Sequence, residues 1–493
     1  MTRKQLALLL LIAIAAVLVH GYHPAVEDGE LYLPGVKKAL NPALYPFNDE
    51  FFMSHARMTL FDDLVAASVR ISHLPFDYAV FLWHLACIFA FLLGCWRVSR
   101  ACFDHPLAPW GSVALVAALL TIPVAGTALY IMDQYPTPRD LSTAGIMLVL
   151  AGALERRFWG AGILLLLIAA IHPLMSVFGI GLLVLLYIEE RRLATRAAAG
   201  ATAMFVLPAL PSFQPVSSVY RGILDTSHAY FLVLRWQWYE WVGIFAPLAL
   251  LWGIARYRSS GTDDRLSSSV SASKLAALAR ALIVFGLLSF AAALVLCIPR
   301  LAGLAELQPM RSLHLIFILL FVFLGGIFAE SVLKSHVWRW VVLLAPICLG
   351  MFFVQRQLFP ATDHLELPGM SPSNSWVQAF DWIRNHTPND AIFALDPDYM
   401  NLPGEDEHGF REIAERSSLA NIHDKGAVGM FPALAQDWAV QDGAQQGWRT
   451  FQAPDFQRLR RSYGVTWVVL QRPGVPGLAC PFHNHAVMVC RIE

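Results

Sequence analysis

Arg3-Lys4-Gln-Leu6-Ala-Leu-Leu-Leu-Leu-Ile-Ala-Ile-Ala-Ala-Val-Leu-Val19-His20 sets two cations ahead of an unbroken apolar run. Such a run reads as a helix in hydrocarbon, and the leading cations hold its start on the inner side of a membrane. Val19-His20-Gly21 lacks an A-x-A cleavage pattern, so the segment reads as a signal anchor. Further apolar runs follow at 78–96, 107–132, 141–154, 158–171, 174–188, 197–210, 242–255, 275–298, 313–329 and 337–354. The pattern predicts about 11 transmembrane helices. Several runs are shorter than the roughly 20 residues that cross a bilayer. The pair 158–171 and 174–188 is expected to turn at His172-Pro173.

Charge checks the parity. With the N-terminus inside, the inner loops hold sixteen cations: Arg3, Lys4, Arg97, Arg100, Arg156, Arg157, Arg191, Arg192, Arg196, Arg256, Arg258, Arg265, Lys274, Arg280, Lys334 and Arg339. The short outer loops hold five, Arg139, Arg221, Arg235, Arg300 and Arg311. The positive-inside rule therefore places the C-terminus outside. Of 493 residues, 57% are apolar and 15% charged, against about 25% charged in a soluble domain. Lys+Arg and Asp+Glu balance at 36 each, which leaves no basic excess for a nucleic acid.

Two segments lie outside this apolar body, a first outer loop over 20–77 and a tail over 356–493. The division expected is a transmembrane unit, 1–355, and an extracytoplasmic α/β domain, 356–493. In the tail, 374–386 carries Trp376, Phe380 and Ile383 at helical spacing. Short helices are expected at 409–415 and 455–462, and strands at 391–395, 465–470 and 486–492. Alternation of this kind suggests a small α/β domain. Cys480 and Cys490 fall in this outer segment, where disulfides persist; a disulfide or two free thiols fits better than a zinc site with His483 and His485. A Ser-rich linker is read at 259–273.

The first outer loop opens His20-Gly-Tyr-His-Pro-Ala-Val-Glu27-Asp28-Gly-Glu30-Leu-Tyr-Leu-Pro. Adjacent carboxylates near the end of a span can take a proton from an acceptor hydroxyl or ligate a metal. A solvated turn is the bland alternative, and Asp49-Glu50 reads as solvated loop acid. Elsewhere, Asp396-Pro-Asp398 and Glu405-Asp-Glu407-His408 read as loop acids by default.

The layout of signal anchor, acidic first outer loop, many short spans and an outer α/β tail resembles the GT-C superfamily of membrane glycosyltransferases. Glu27-Asp28-Gly-Glu-Leu-Tyr-Leu-Pro-Gly, Asn41-Pro-Ala-Leu-Tyr-Pro, Ile171-His-Pro-Leu-Met and Arg411…Arg416…Lys425 are similar to an uncharacterised bacterial group of that superfamily. The resemblance implies an integral protein of the bacterial inner membrane, its N-terminus cytoplasmic and its tail periplasmic. It also implies inverting transfer of a hexose or pentose from a polyprenyl-phosphate donor to a glycan, lipid or protein acceptor. An acid of the first outer loop is the catalytic or metal-binding residue of such enzymes. By position this is Asp28 or Glu27, with Glu30 a third option and a divalent Mg or Mn ion left open.

Phosphate departure in that reaction needs cations at outer helix ends. Arg139 lies in the two-proline turn Asp133-Gln-Tyr-Pro-Thr-Pro-Arg139-Asp140. Arg311 and His314 stand three apart, and His172 marks its turn. Interfacial anchoring is the competing role, favoured for His172 and His314. Arg221, Asp225, His228 and Trp236 of the aromatic outer loop 212–241 are weaker substrate contacts, since an aromatic belt explains the Trp and Tyr there. Two other classes compete with the enzyme: a transporter or lipid flippase, opposed by the lack of paired broken helices, and a scaffold that holds a partner through its tail.

Overall fold

The computed structural model describes residues 1–191, 216–259 and 270–493. The expected span 197–210 lies outside the described residues, as does most of the Ser-rich linker. Among the described residues the protein is mostly helical, and seven helices are long and apolar enough to cross a membrane. They include α1, Arg3–His20, started by a capping box between Thr2 and Gln5, and α5, Phe76–Cys102. Shorter apolar helices are α6, Ala108–Ala118, and α8, Phe158–Ile171. α7, Pro138–Leu154, is capped by Thr137, whose hydroxyl accepts from the Asp140 N–H, with Pro138 at the first helical position. The chain breaks at His172 before α9, Pro173–Arg191.

One apolar core joins α1, α5, α6, α7, α9 and Leu313–Phe328. Close approach requires glycine at one crossing. A Cβ on Gly111 would meet the Gly325 carbonyl, and one on Gly325 would sit 2.7 Å from Ser112 Cα. Opposite ends of α7 carry different chemistry. Near its C-terminus Arg97 pairs with Glu155 (2.7 Å), and Arg280 with Glu189 (2.8 Å). Its N-terminus carries Arg139 towards Asp28 in segment 20–77.

The run 107–132 is expected as one span, and this is corrected. Its helix ends at Ala118, and residues 119–137 fold back as a buried irregular loop. Val124 N–H donates to the Leu129 carbonyl (2.8 Å) and Met132 N–H to that of Leu120 (2.9 Å). Pro123 and Thr121 interrupt the helix despite the apolar composition. Such backbone is tolerated at membrane depth when protein surrounds it.

Segment 20–77, expected as the first outer loop, is built of three helices, α2, Gly29–Leu40, α3, Glu50–Ala56, and α4, Phe61–Ser72. The C-terminal part holds a five-stranded sheet ordered β2-β1-β3-β5-β4. β1, Ile392–Ala394, runs parallel to β2, Ser417–Ser418, and to β3, Trp467–Gln471. β5, Val487–Arg491, is antiparallel to both β3 and β4, Ala479–His483. Both faces of the sheet are covered, as the alternation along β3 requires. Val469 packs with Phe380 and Ile383 of Ser375–His386, while Val468 and Leu470 pack with Phe456 and Leu459 of Ala453–Tyr463. Cys480 and Cys490 are bonded across β4 and β5.

Candidate functional site

Asp28 ends the turn before α2, and its side chain makes no capping bond to that helix. The carboxylate is therefore turned outward, 38% exposed, 3.7 Å from Arg139 Nη1. Arg139 itself is 4% exposed and also pairs with Asp133. Behind Asp28 stands Tyr135, 1% exposed, whose hydroxyl accepts the Asp28 N–H (3.2 Å) and donates to Glu27 Oε2 (3.0 Å). Glu27 has φ +48° and its N–H donates to the Glu407 carbonyl (3.0 Å). Burial first, then Glu407, Asp133 and Asp28 nearby, push the Glu27 carboxyl up to about 8. Near neutral pH Glu27 therefore holds a proton.

Glu30 is elsewhere. It is fully buried and accepts from the backbone N–H groups of Arg411 (3.3 Å) and Glu412 (3.1 Å). Arg411 lies 3.4 Å from it and holds Asp424 with two bonds of 2.7 and 2.8 Å. The third acid of the loop is thus a fastening to the C-terminal part, which corrects its reading as a catalytic option. Lys37, also on α2, adds ion pairs to Glu412 (3.2 Å) and Glu415 (3.1 Å).

Two cavities meet at Asp28, Tyr230 and Arg311. One, of about 360 Å³, is mostly apolar, walled by Leu174, Val177, Phe178, Leu307, Met430 and Phe431, with His55 and His172 among its polar groups. The other, of about 340 Å³, is polar and reaches Glu27, Asp133, Arg139, Glu407 and His423. Arg311 forms no ion pair among the described residues, and its Nε lacks a hydrogen-bond partner. A cation without a carboxylate beside an apolar cavity suits an anion with an apolar tail. His55 packs on Tyr32 and Phe431, and burial holds it down to about 4, so its imidazole is neutral.

Asp28, Glu27, Arg139, Arg311 and His172 thus come together although they span nearly 300 residues. His314 and Arg221 do not line these cavities. His314 Nε2 bonds the Ile131 carbonyl (2.9 Å) and so anchors the fold-back loop. Arg221 is exposed and donates to the Pro299 carbonyl (3.4 Å). Tyr32, His55, Tyr230 and Gln308 line the cavities and are absent from the sequence-derived set. Tyr230 could have been found, since it lies in the aromatic outer loop, but belt residues and pocket residues share one composition. The residues present do not fit a metal ion. No three His, Cys, Asp or Glu side chains among the described residues gather closely enough to hold one, and Asp28 and Asp133 both turn to Arg139.

No protein-family model matches this sequence, and no curated protein matches it. Among solved structures the chain is similar to the oligosaccharyltransferase of Archaeoglobus fulgidus crystallised with Zn and sulfate. Identity is 12% and the TM-score 0.43, covering 94% of this chain and 67% of that one. The same enzyme tethered to an acceptor peptide containing the NVT sequon aligns at 11% identity and a TM-score of 0.44, covering 95% and 69%. The archaeal oligosaccharyltransferase AglB from that organism, in complex with an inhibitory peptide and a dolichol-phosphate, aligns at 12% and 0.42, covering 95% and 69%.

Proposed function

We propose that this protein is an integral-membrane glycosyltransferase that moves a sugar from a polyprenyl-phosphate donor to an acceptor at the outer face of the membrane. The observation that carries the reading is the meeting of the two cavities at Asp28 and Arg311. In this reading the apolar cavity takes the start of the isoprenoid chain, and the Arg311 guanidinium, which forms no ion pair among the described residues, takes its phosphate. The acceptor enters the polar cavity. Asp28 removes the proton of the acceptor hydroxyl as its oxygen attacks the anomeric carbon. The bond from that carbon to the phosphate oxygen breaks on the opposite side, and the lipid phosphate leaves with the electron pair, so the sugar is inverted. Arg311 stabilises the charge that grows on the phosphate. Arg139 keeps Asp28 oriented, and Tyr135 fixes the turn that presents it. No step runs through a metal ion, since the donor set does not fit one.

Purified protein in proteoliposomes, supplied with undecaprenyl-phosphate sugars and a membrane-lipid extract as acceptor, tests this. Asp28→Asn should lower transfer at least about 100-fold, in the range of losing a general base. Transfer by Asp28→Asn at the wild-type rate would remove Asp28 from the chemistry.

A further inference from the structure

His172 stands between α8 and α9 in extended backbone, φ −151° and ψ 90°, and Pro173 opens α9. Its Nδ1 accepts the Met175 N–H (3.3 Å), and its carbonyl accepts the Ser176 N–H (3.1 Å). The imidazole thus caps α9, a task that Asn, Asp or Ser performs with a smaller side chain. A backbone N–H can only donate, so Nδ1 is the bare nitrogen and the ring proton sits on Nε2. Nε2–H is therefore a donor of fixed direction. Among the described residues nothing accepts from it, and it is not sealed in, as the unpartnered Nδ1 atoms of His84 and His228 are. The side chain is partly buried and lines the apolar cavity with His55 and Arg311, both close enough to act on it electrostatically. One ring nitrogen serves the helix, and the other is left to the cavity.

We propose that His172 is a substrate-binding residue whose Nε2–H donates to a phosphate oxygen of the lipid-linked donor, beside the Arg311 guanidinium. The inference rests on the glycosyl-transfer reading above and adds a second, uncharged contact to the phosphate. Phosphate oxygens only accept, and a hydrogen bond to a charged oxygen is stronger than one to a neutral group, so a donor-only N–H is best matched by them. The isoprenoid chain offers it no partner. With Nδ1 held by the Met175 N–H the ring stays neutral, so His172 orients the phosphate without moving a proton.

Two replacements separate the two nitrogens. His172→Asn keeps the cap, because Oδ1 can accept the Met175 N–H, but it is too short to bring an N–H to the Nε2 position. His172→Gln brings an N–H there and gives up the cap. Binding of tritiated undecaprenyl phosphate and undecaprenol to the full-length protein in detergent is measured by scintillation proximity, alongside melting temperatures. His172→Asn should melt with the wild type and bind undecaprenyl phosphate about 10- to 100-fold more weakly, the loss of one bond to a charged oxygen, with undecaprenol unchanged. His172→Gln should melt lower yet bind the phosphate near the wild-type affinity. His172→Ser, which also caps, replaces the asparagine protein should that fail gel filtration. Wild-type affinity in His172→Asn overturns the inference, as does an equal loss for undecaprenol or a loss in His172→Gln as large as in His172→Asn. Inorganic phosphate and phosphatidylglycerol should displace the label far less than undecaprenyl phosphate, and equal displacement by either overturns the assignment to a polyprenyl phosphate. Transfer by the wild type together with unweakened lipid binding in His172→Asn refutes this inference alone. A wild type that binds undecaprenyl phosphate through His172 but transfers from no polyprenyl-phosphate donor refutes the transferase reading and leaves the contact standing.

Discussion

Arg411→Met should unfasten the first outer loop from the C-terminal part. Arg411 is 1% exposed and holds Asp424 with two bonds while facing Glu30, and both carboxylates are fully buried. Removing the cation strands two buried acids, a loss of about 3–5 kcal/mol. The exposed pair Arg57–Glu50, at 2.8 Å, is the control, and Arg57→Ala should cost less than about 1 kcal/mol. The loss has a defined pH dependence. Burial already pushes Glu30 up to about 7 against the pull of Arg411, so its folded-state pKa is raised. A raised carboxyl favours the folded state below the unfolded pKa near 4.5 and loses that contribution as pH climbs through 7. Without Arg411 the carboxyl rises further, so the variant should be nearest to wild type at pH 5 and farthest at pH 8. Fluorescence-detected thermal unfolding in detergent at both pH values measures this. Equal stability of Arg411→Met and wild type at pH 8 would refute the reasoning. The triple variant Glu30→Gln, Arg411→Met, Asp424→Asn should recover much of the loss by removing the stranded charges.

Other consequences are independent of that network. Glu27→Gln should be more stable than wild type at pH 8–9 and converge with it at pH 4, because the raised Glu27 carboxyl opposes folding once it ionises; melting curves across that range check it. Gly325→Ala should cost about 1–3 kcal/mol by overpacking against Gly111 and Ser112, read as a lower melting temperature in detergent. Arg221→Ala should leave transfer within twofold of wild type in the proteoliposome assay, since Arg221 is exposed and lines neither cavity.

The apolar runs were legible because they are a one-dimensional signal: ten of the eleven expected spans overlap described helices, and the eleventh lies outside the described residues. Run 107–132 misled because a protein-buried loop has the composition of a lipid-buried helix. The tail strands at β1, β3 and β5 followed from β-branched and apolar patches, and Trp376, Phe380 and Ile383 share a buried helical face as their spacing predicts. β2 and β4 were missed, since Ser417-Ser418 is only two residues long and β4 lies at the sheet edge with Pro481 inside it. The acid pair Glu27-Asp28 stood out because charge is scarce near span ends. Separating Asp28 from Glu30 needed the contact with Arg411, 381 residues away, which no local pattern carries.

The central claim is that the apolar cavity beside Arg311 holds the lipid of a polyprenyl-phosphate sugar. A diazirine-bearing polyprenyl phosphate, photolysed with the protein in proteoliposomes and mapped by mass spectrometry, tests it most directly. The account predicts labels on the peptides carrying Val177, Phe178 and Phe431, chased by unlabelled lipid phosphate and lost in Arg311→Met. Labels confined to the outer surfaces of α8 and Val337–Leu358, unaffected by Arg311→Met, would contradict it.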